Sequence, residues 1–288
     1  MEHIGCQFDT IKGSIRQPLP YDKVIETRPQ AREKLKELLI ESSKNIKGIH
    51  FEIGPDKDLE TANNKAIRDY NGDKRAVTDY VRAKICVDSP DQVRALTGEE
   101  FQDIMNDNDV HVVKMNNYFS DPKDRTGYRC LNYKLAIPIG IDEQDNQQYH
   151  YVELQVVAEQ IEAVYDETHE YKRRAENAEN EIADFMHEHG IYELKNKEIS
   201  EGDLTKEEEA LLRIADITIK PLRKISKLNY ATCYLLNSMA AKGDGNEENN
   251  YETLLDPDKA AKHRLTPGKK ERLGTMKHKA DMMEMINE

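Results

Sequence analysis

The chain has 288 residues, with 55 acidic against 42 basic side chains and a net charge of −13. That balance, with a mean hydropathy of −0.83, argues against passive binding to DNA or RNA, and no stretch approaches the ~18 apolar residues of a membrane span. The scattered cysteines Cys6, Cys86, Cys130 and Cys233 form no CxxC pair and read as reduced thiols, and the N-terminus has no apolar leader; the expected location is the cytoplasm, or a cytosol entered without a cleavable signal.

Helical spacing runs over residues 22–46 in Ala31, Leu35, Leu38 and Leu39, and Gly48 ends it. Ile49–Ile53 alternates as a short strand, broken by Gly54-Pro55. Residues 57–70 return to helical spacing through Leu59, Ala62, Ala66 and Ile67, before an Asn71-Gly72-Asp73 turn. Tyr80–Val87 reads as a strand, and Ser89 and Pro90 begin a helix as cap and first-turn proline. Val110–Met115, Leu131–Ile139 and Tyr149–Val157 complete the strands, the last two joined by a polar loop over 140–148. From Ala158 the pattern is helical to about His189, and again over 205–242 with an interruption or kink near Pro221. Residues 243–250 read as a polar linker. The expectation is an α+β chain, a small mixed sheet of about five strands flanked by helices, with a helical C-terminal extension. Its expected segments are a helical 1–47, a sheet-bearing 48–190 and a helical 191–288 with a basic tail.

Three features outside that core need weighing. Residues 259–279 hold Lys259, Lys262, Arg264, Lys269, Lys270, Arg272, Lys277 and Lys279 against the single acid Glu271. Such a run is ordinarily a solvated tail; the sharper reading is a basic arm for RNA or an acidic partner. His187 and His189 are two residues apart, so on a helix they point to different sides and do not make a metal pair. Leu211, Leu212, Ile214, Ile217 and Ile219 read as core rather than as a free interface for a second copy or a protein partner.

Four short pieces carry chemistry. Lys57 and Lys65 flank Thr61; a helix starting near Lys57 would offer its free N–H groups and two ammonium groups to a triphosphate, although lysines eight apart are ordinarily solvated. Asp79 precedes a strand containing Arg82 and Lys84, and a carboxylate there suits Mg²⁺ whose other positions are filled by phosphates, or else a local salt bridge. Pro122-Lys123 followed by Gly127-Tyr128-Arg129 sets cations around an aromatic, which suits phosphates and a stacked base, or an ordinary surface turn. Glu153 and Gln155 share one face of a strand that is otherwise apolar, where a carboxylate needs a partner or a metal.

In order and spacing these pieces resemble the synthetase domain of RelA/SpoT-type alarmone synthetases, within the nucleotidyltransferase-like group. The resemblance covers roughly residues 45–175: Lys57, Thr61 and Lys65; Asp79; Tyr118, Pro122-Lys123 and Gly127 to Asn132; Glu153-Leu154-Gln155; and His169 with Tyr171-Lys172. It implies that Asp79 and Glu153 bind Mg²⁺, with Glu153 activating a 3′-hydroxyl and Gln155 positioning it. It implies that Lys57, Thr61, Lys65, Arg82 and Lys84 meet ATP. Tyr128 would stack on the acceptor base, while Lys123, Arg129, Asn132, His169 and Lys172 contact the acceptor. The implied reaction moves pyrophosphate from ATP to a ribose 3′-hydroxyl and releases AMP. Pro55, Lys84, Cys130, Asn132 and Val157 depart from the family pattern and mark a divergent member.

Three functions follow as expectations. The first is a pyrophosphokinase using ATP and a second nucleotide such as GDP or GTP. The second is the same chemistry aimed by a toxin-like enzyme at tRNA 3′ ends. The third is a nucleotide-binding or interaction module of weak activity.

Overall fold

Leu131, Tyr133, Leu135, Ile137 and Ile139 alternate with Asn132, Lys134, Ala136 and Pro138, so the longest strands present an apolar face and a mixed one. The computed structural model describes residues 15–201, 204–243, 246–258 and 267–287; Cys6, Lys259, Lys262 and Arg264 lie outside the described residues. The chain divides into two units. One comprises Met1–Asp121, Arg129–Glu159 and Gly243–Leu255; the other comprises Pro122–Tyr128, Gln160–Lys242 and Asp256–Glu288.

The first unit is built on five strands: β1 (His50–Ile53), β2 (Arg82–Val87), β3 (His111–Asn117), β4 (Leu131–Ile141) and β5 (Gln147–Ala158). Their spatial order is β1-β2-β5-β4-β3. Only β2 and β5 run parallel; the other pairs are antiparallel, which makes the sheet mixed as expected. Pro138 cannot donate to a ladder, and the β4–β5 register shifts between it and Gly140. Ala83, Ile85, Leu135, Val152, Leu154 and Val156 form the buried face. Helices α1 (Tyr21–Glu26) and α2 (Arg28–Asn45) contribute Val24, Ala31, Leu35, Leu38 and Leu39, all fully buried. Helices α3 (Leu59–Tyr70), α4 (Pro90–Ala95) and α5 (Glu99–Asp107) complete the unit. The segment 243–255, expected as a linker over its first eight residues, carries the wholly buried Tyr251, whose ring stacks on Phe119 at 5.4 Å.

His150 on β5 is buried, and its Nδ1 lies 3.0 Å from Thr27 Oγ1. Burial, reinforced by the Arg28 charge, lowers its pKa to about 4. A histidine depressed in the folded state is neutral there while the unfolded chain takes up a proton. Stability present above the unfolded pKa of ~6.5 is therefore lost as pH falls towards about 4. Urea midpoints should drop between pH 7 and 4.5, and His150→Gln should flatten that slope.

The second unit holds α7 (Tyr165–Glu188), α8 (Ile191–Glu201), α9 (Lys206–Lys242) and α10 (Pro267–Asn287); the short α6 (Glu159–Glu162) precedes them. The single helix expected from Ala158 to His189 is thus broken between Glu162 and Tyr165. Conversely, α9 continues through Pro221, where an interruption was expected. The proline is exposed, and so is Ile217, whose carbonyl loses its donor there, so water can satisfy that group. Leu212, Ala215 and Ile219 pack with Met186 and Ile191, with Leu211 partly buried beside them. Ile214 and Ile217, expected in the core, instead lie on the open side of α9 at 58% and 73% exposure. The basic run expected as a solvated tail forms α10 from Pro267 onward; Lys277 pairs with Glu167 at 2.8 Å, and Lys269 donates to Tyr234 Oη at 2.9 Å. No helix among the described residues is long and apolar enough to cross a membrane.

Candidate active site

Asp79 lies just ahead of β2 with only 5% of its surface exposed. The expected strand from Tyr80 begins instead at Arg82, because Tyr80 and Val81 are both fully buried and do not alternate. Tyr80 donates from its hydroxyl to Lys74 O at 3.0 Å, and its carbonyl accepts from Lys57 N at 3.1 Å. This backbone tie sets Lys57 beside Asp79. Lys65 reaches the same place from α3. Both Nζ atoms lie 3.0 Å from Asp79 Oδ2. Burial alone would raise the Asp79 pKa, but Lys65 and Lys57 outweigh it and bring the carboxyl down to about 2. For Lys65 burial pulls the other way, and Asp79 carries the net shift upward. Asp79 Oδ1 is buried with no hydrogen-bond partner among the described residues.

On the mixed face of the sheet the register sets Arg82 opposite Glu153 and Lys84 opposite Gln155. It sets Lys134 opposite Glu153 and Asn132 opposite Gln155 on the other side. Glu153 Oε2 is held by Lys134, and Oε1 accepts from Gln155 Nε2 at 3.0 Å. Burial pushes the Glu153 pKa up; Lys134 and the Asn132 side chain overcome it, so the net shift is down even with the Asp79 charge acting against it. Two ionised carboxylates thus persist in a half-dry setting because three ammonium groups face them. Lys134 was not read from the sequence. Its signal was the requirement that Glu153 have a partner, together with a lone cation two residues beyond Asn132 on the same strand face.

Arg82 and Lys84 share that face, but Lys84 is engaged with Glu52 at 3.2 Å. Gly54 lies against the Arg82 stem, where an added Cβ would sit 3.0 Å from Cγ. The N-terminus of α3 differs from expectation. Asp58 is its cap and accepts from Glu60 N, Thr61 N and Thr61 Oγ1 at 3.0, 2.9 and 3.3 Å. Those N–H groups are therefore taken, and exposed Thr61 is occupied by the cap rather than turned towards Asp79.

The residues expected to contact an acceptor belong to both units. Arg129 belongs to the sheet unit and is wholly buried, with Nη1 3.5 Å from Phe119 O and Nη2 4.0 Å from Glu252. It braces the interior and is not presented to a ligand, contrary to expectation. Lys123 and Tyr128 belong to the helical unit, in a tight turn: Gly127 N donates to Lys123 O at 2.7 Å and Lys123 N to Tyr128 O at 3.2 Å. Lys123 Nζ stands 5.6 Å from the Tyr128 ring centroid. His169 and Lys172 are exposed on α7, three residues apart and so on one face; His169 stacks on Tyr165 and Lys172 pairs with Glu176.

The carboxylate pair fits a divalent cation of the Mg²⁺ kind. Such an ion is held by one or two carboxylates, with phosphates and water completing its shell. The unpartnered Asp79 Oδ1 and the Glu153 carboxylate are the oxygen donors available. No group of three or more His, Cys, Asp or Glu side chains that could cage a metal occurs among the described residues.

No family model matches the chain, and no curated protein matches it. Among solved structures it is similar to the small alarmone synthetase 1 from Bacillus subtilis bound to its product pppGpp, at 14% identity and TM-score 0.36 over 71% of this chain and 93% of that one. It is similar to small alarmone synthetase 2 from the same organism, at 18% identity and TM-score 0.38 over 71% and 95%. It is also similar to the complex between the Type VI effector Tas1 and its immunity protein, at 22% identity and TM-score 0.35 over 49% and 62%. Likeness at this level decides nothing about activity or substrate, which rest on the residues themselves.

Proposed function

We propose that this chain transfers pyrophosphate from ATP to the 3′-hydroxyl of a nucleotide acceptor. The single observation that carries the reading is the pair of ionised carboxylates Asp79, buried, and Glu153, partly buried, held on one side of the sheet by Lys57, Lys65 and Lys134. A structural salt bridge needs one cation per carboxylate; a site for polyphosphate needs a surplus of them. In the reaction the acceptor 3′-oxygen attacks the β-phosphorus of ATP, the bond from that phosphorus to the α–β bridging oxygen breaks, and AMP leaves. The hydroxyl proton passes to the Glu153 carboxylate, which Gln155 holds in place. Lys57 and Lys65 have flexible stems and exchange their hold on Asp79 for the phosphates of ATP. Asp79 and Glu153 would hold a Mg²⁺ ion, which when bound would supply charge neutralisation on the phosphates. Arg82, opposite Glu153, offers a planar guanidinium for stacking on the adenine. Tyr128 stacks on the acceptor base, with Lys123, His169 and Lys172 meeting its phosphates.

Incubation with γ-labelled ATP and, separately, GDP, GTP, ADP and tRNA tests the reading. Label on a mononucleotide is the expected result. Label on tRNA moves the acceptor to RNA, and nucleotide binding without transfer to any of them leaves a binding module. For Tyr128→Ala the acceptor KM should rise about tenfold, the loss of ~1–3 kcal/mol of base stacking, while the ATP KM stays within twofold.

A further inference from the structure

Resting on the reading that Lys123 and Tyr128 meet the acceptor, we propose that Arg125, Glu179 and Asn237 are positioning residues that clamp the 122–128 turn onto α7 and α9. On this proposal α9 governs acceptor affinity. All of these groups belong to the helical unit. Arg125 presents both terminal nitrogens to Glu179, Nη1 lying 3.3 Å from Oε2 and Nη2 close to Oε1. Its guanidinium carbon stands 3.8 Å from the centroid of the Tyr230 ring on α9. Glu179 is held in turn by Ser226 Oγ at 3.0 Å and Tyr230 Oη at 3.4 Å. A fork, a stacked face and two supporting donors make a network rather than an isolated surface pair, which by itself would fix little.

The other end of the turn is held independently. Asn237 Nδ2 donates to Thr126 O at 3.0 Å. Gly127 has φ +65° and lies so close to α9 that an added Cβ would come 3.1 Å from Tyr234 O. A side chain there would therefore be strained by its backbone and blocked by the helix. Lys123 and Tyr128 flank these anchors directly, so their spacing is set by where α9 holds Thr126 and Gly127. The anchors touch no reacting group and act through the turn.

Glu179→Gln removes the charge from the fork at constant size, and Asn237→Ala removes the second anchor. Amide hydrogen exchange of a peptide covering 122–128 reads the clamp without reference to activity. Exchange there should accelerate about tenfold in the double variant while the rest of α7 is unchanged. GDP affinity by calorimetry should fall about tenfold and acceptor KM should rise in step, with kcat at saturating acceptor and ATP KM within twofold. Arg125→Lys keeps the charge but not the fork or the stack, and should behave like the Glu179 variant. Unchanged exchange would overturn the clamp. Faster exchange with unchanged GDP affinity would overturn its role in acceptor binding. If the unaltered protein neither binds GDP nor transfers label, the reading of the function fails instead, and the exchange result still decides the clamp.

Discussion

Glu153→Gln should cut pyrophosphate transfer about a thousandfold with the fold intact. A positioned general base contributes ~10²–10⁴ in rate, and glutamine has the size of the carboxylate without its basicity. The variant keeps the β4 and β5 ladders and leaves Lys134 opposite an amide oxygen. The side chains of Glu153 and Lys134 are each 15% exposed, so the ammonium can turn to water rather than stay buried without a counter-charge. A change in urea stability of about 1 kcal/mol is expected, well short of the 3–5 kcal/mol for breaking a fully buried pair. Single-turnover assays at saturating ATP and acceptor check the rate, and circular dichroism checks the fold. A rate within threefold of the unaltered protein would remove Glu153 from the chemistry.

Asp79→Asn should cost more stability than Glu153→Gln, and activity with it. Its Oδ2 is the shared acceptor of two ammonium groups, and among the described residues no second carboxylate pairs with Lys57 and Lys65. The depression of Asp79 from 3.8 to about 2 corresponds to about 2 kcal/mol of folding stability. The sign is set by the direction of the shift. A carboxyl depressed in the folded state contributes fully above its unfolded pKa and loses that contribution as pH falls through the folded value. Urea stabilities of the two proteins should therefore differ by a constant ~2 kcal/mol above pH 5 and converge between pH ~4 and about 2. On the proposed function transfer should fall at least a hundredfold, since the charge would be lost both to Lys57 and Lys65 and to a metal. A stability gap that persists unchanged at pH 2 would show that its origin is packing and not the ion pairs.

The mixed sheet was readable because alternation is a local property. Leu131, Tyr133, Leu135 and Ile137 announce their face wherever the strand pairs. The convergence of Lys57, Lys65 and Asp79 was anticipated as separate pieces of one site, although the lysines rest on the carboxylate itself. Lys134 escaped because alternation says which face a residue occupies and not what stands opposite. The β4–β5 register, with its shift at Pro138 and Gly140, is set by the whole pairing. Arg129 was misread for a related reason. A charged residue after a Gly-Tyr turn reads as exposed, and its ionic partner in the interior, Glu252, is more than a hundred residues away. Asp58, by contrast, was legible in principle: an aspartate just ahead of a helical run is a cap signal, and recognising it would have withdrawn the free N–H groups from the phosphate argument.

The return of residues 243–255 to the sheet unit bears on how the protein comes into being. Tyr251 donates from its hydroxyl to Val87 O at 3.3 Å and stacks on Phe119, filling a place between the end of β2 and the residues beyond β3. Domains ordinarily complete themselves in the order of their synthesis. Here the sheet unit must wait until α7, α8 and α9 have been made before it receives its last buried ring. During translation Arg129 and the Phe119 ring stand without their final neighbours, and a chain arrested after α9 carries all the residues of the carboxylate pair in a unit still missing part of its core. The sheet unit is thus completed late on the ribosome, with residue 255 rather than with the last residue of β5.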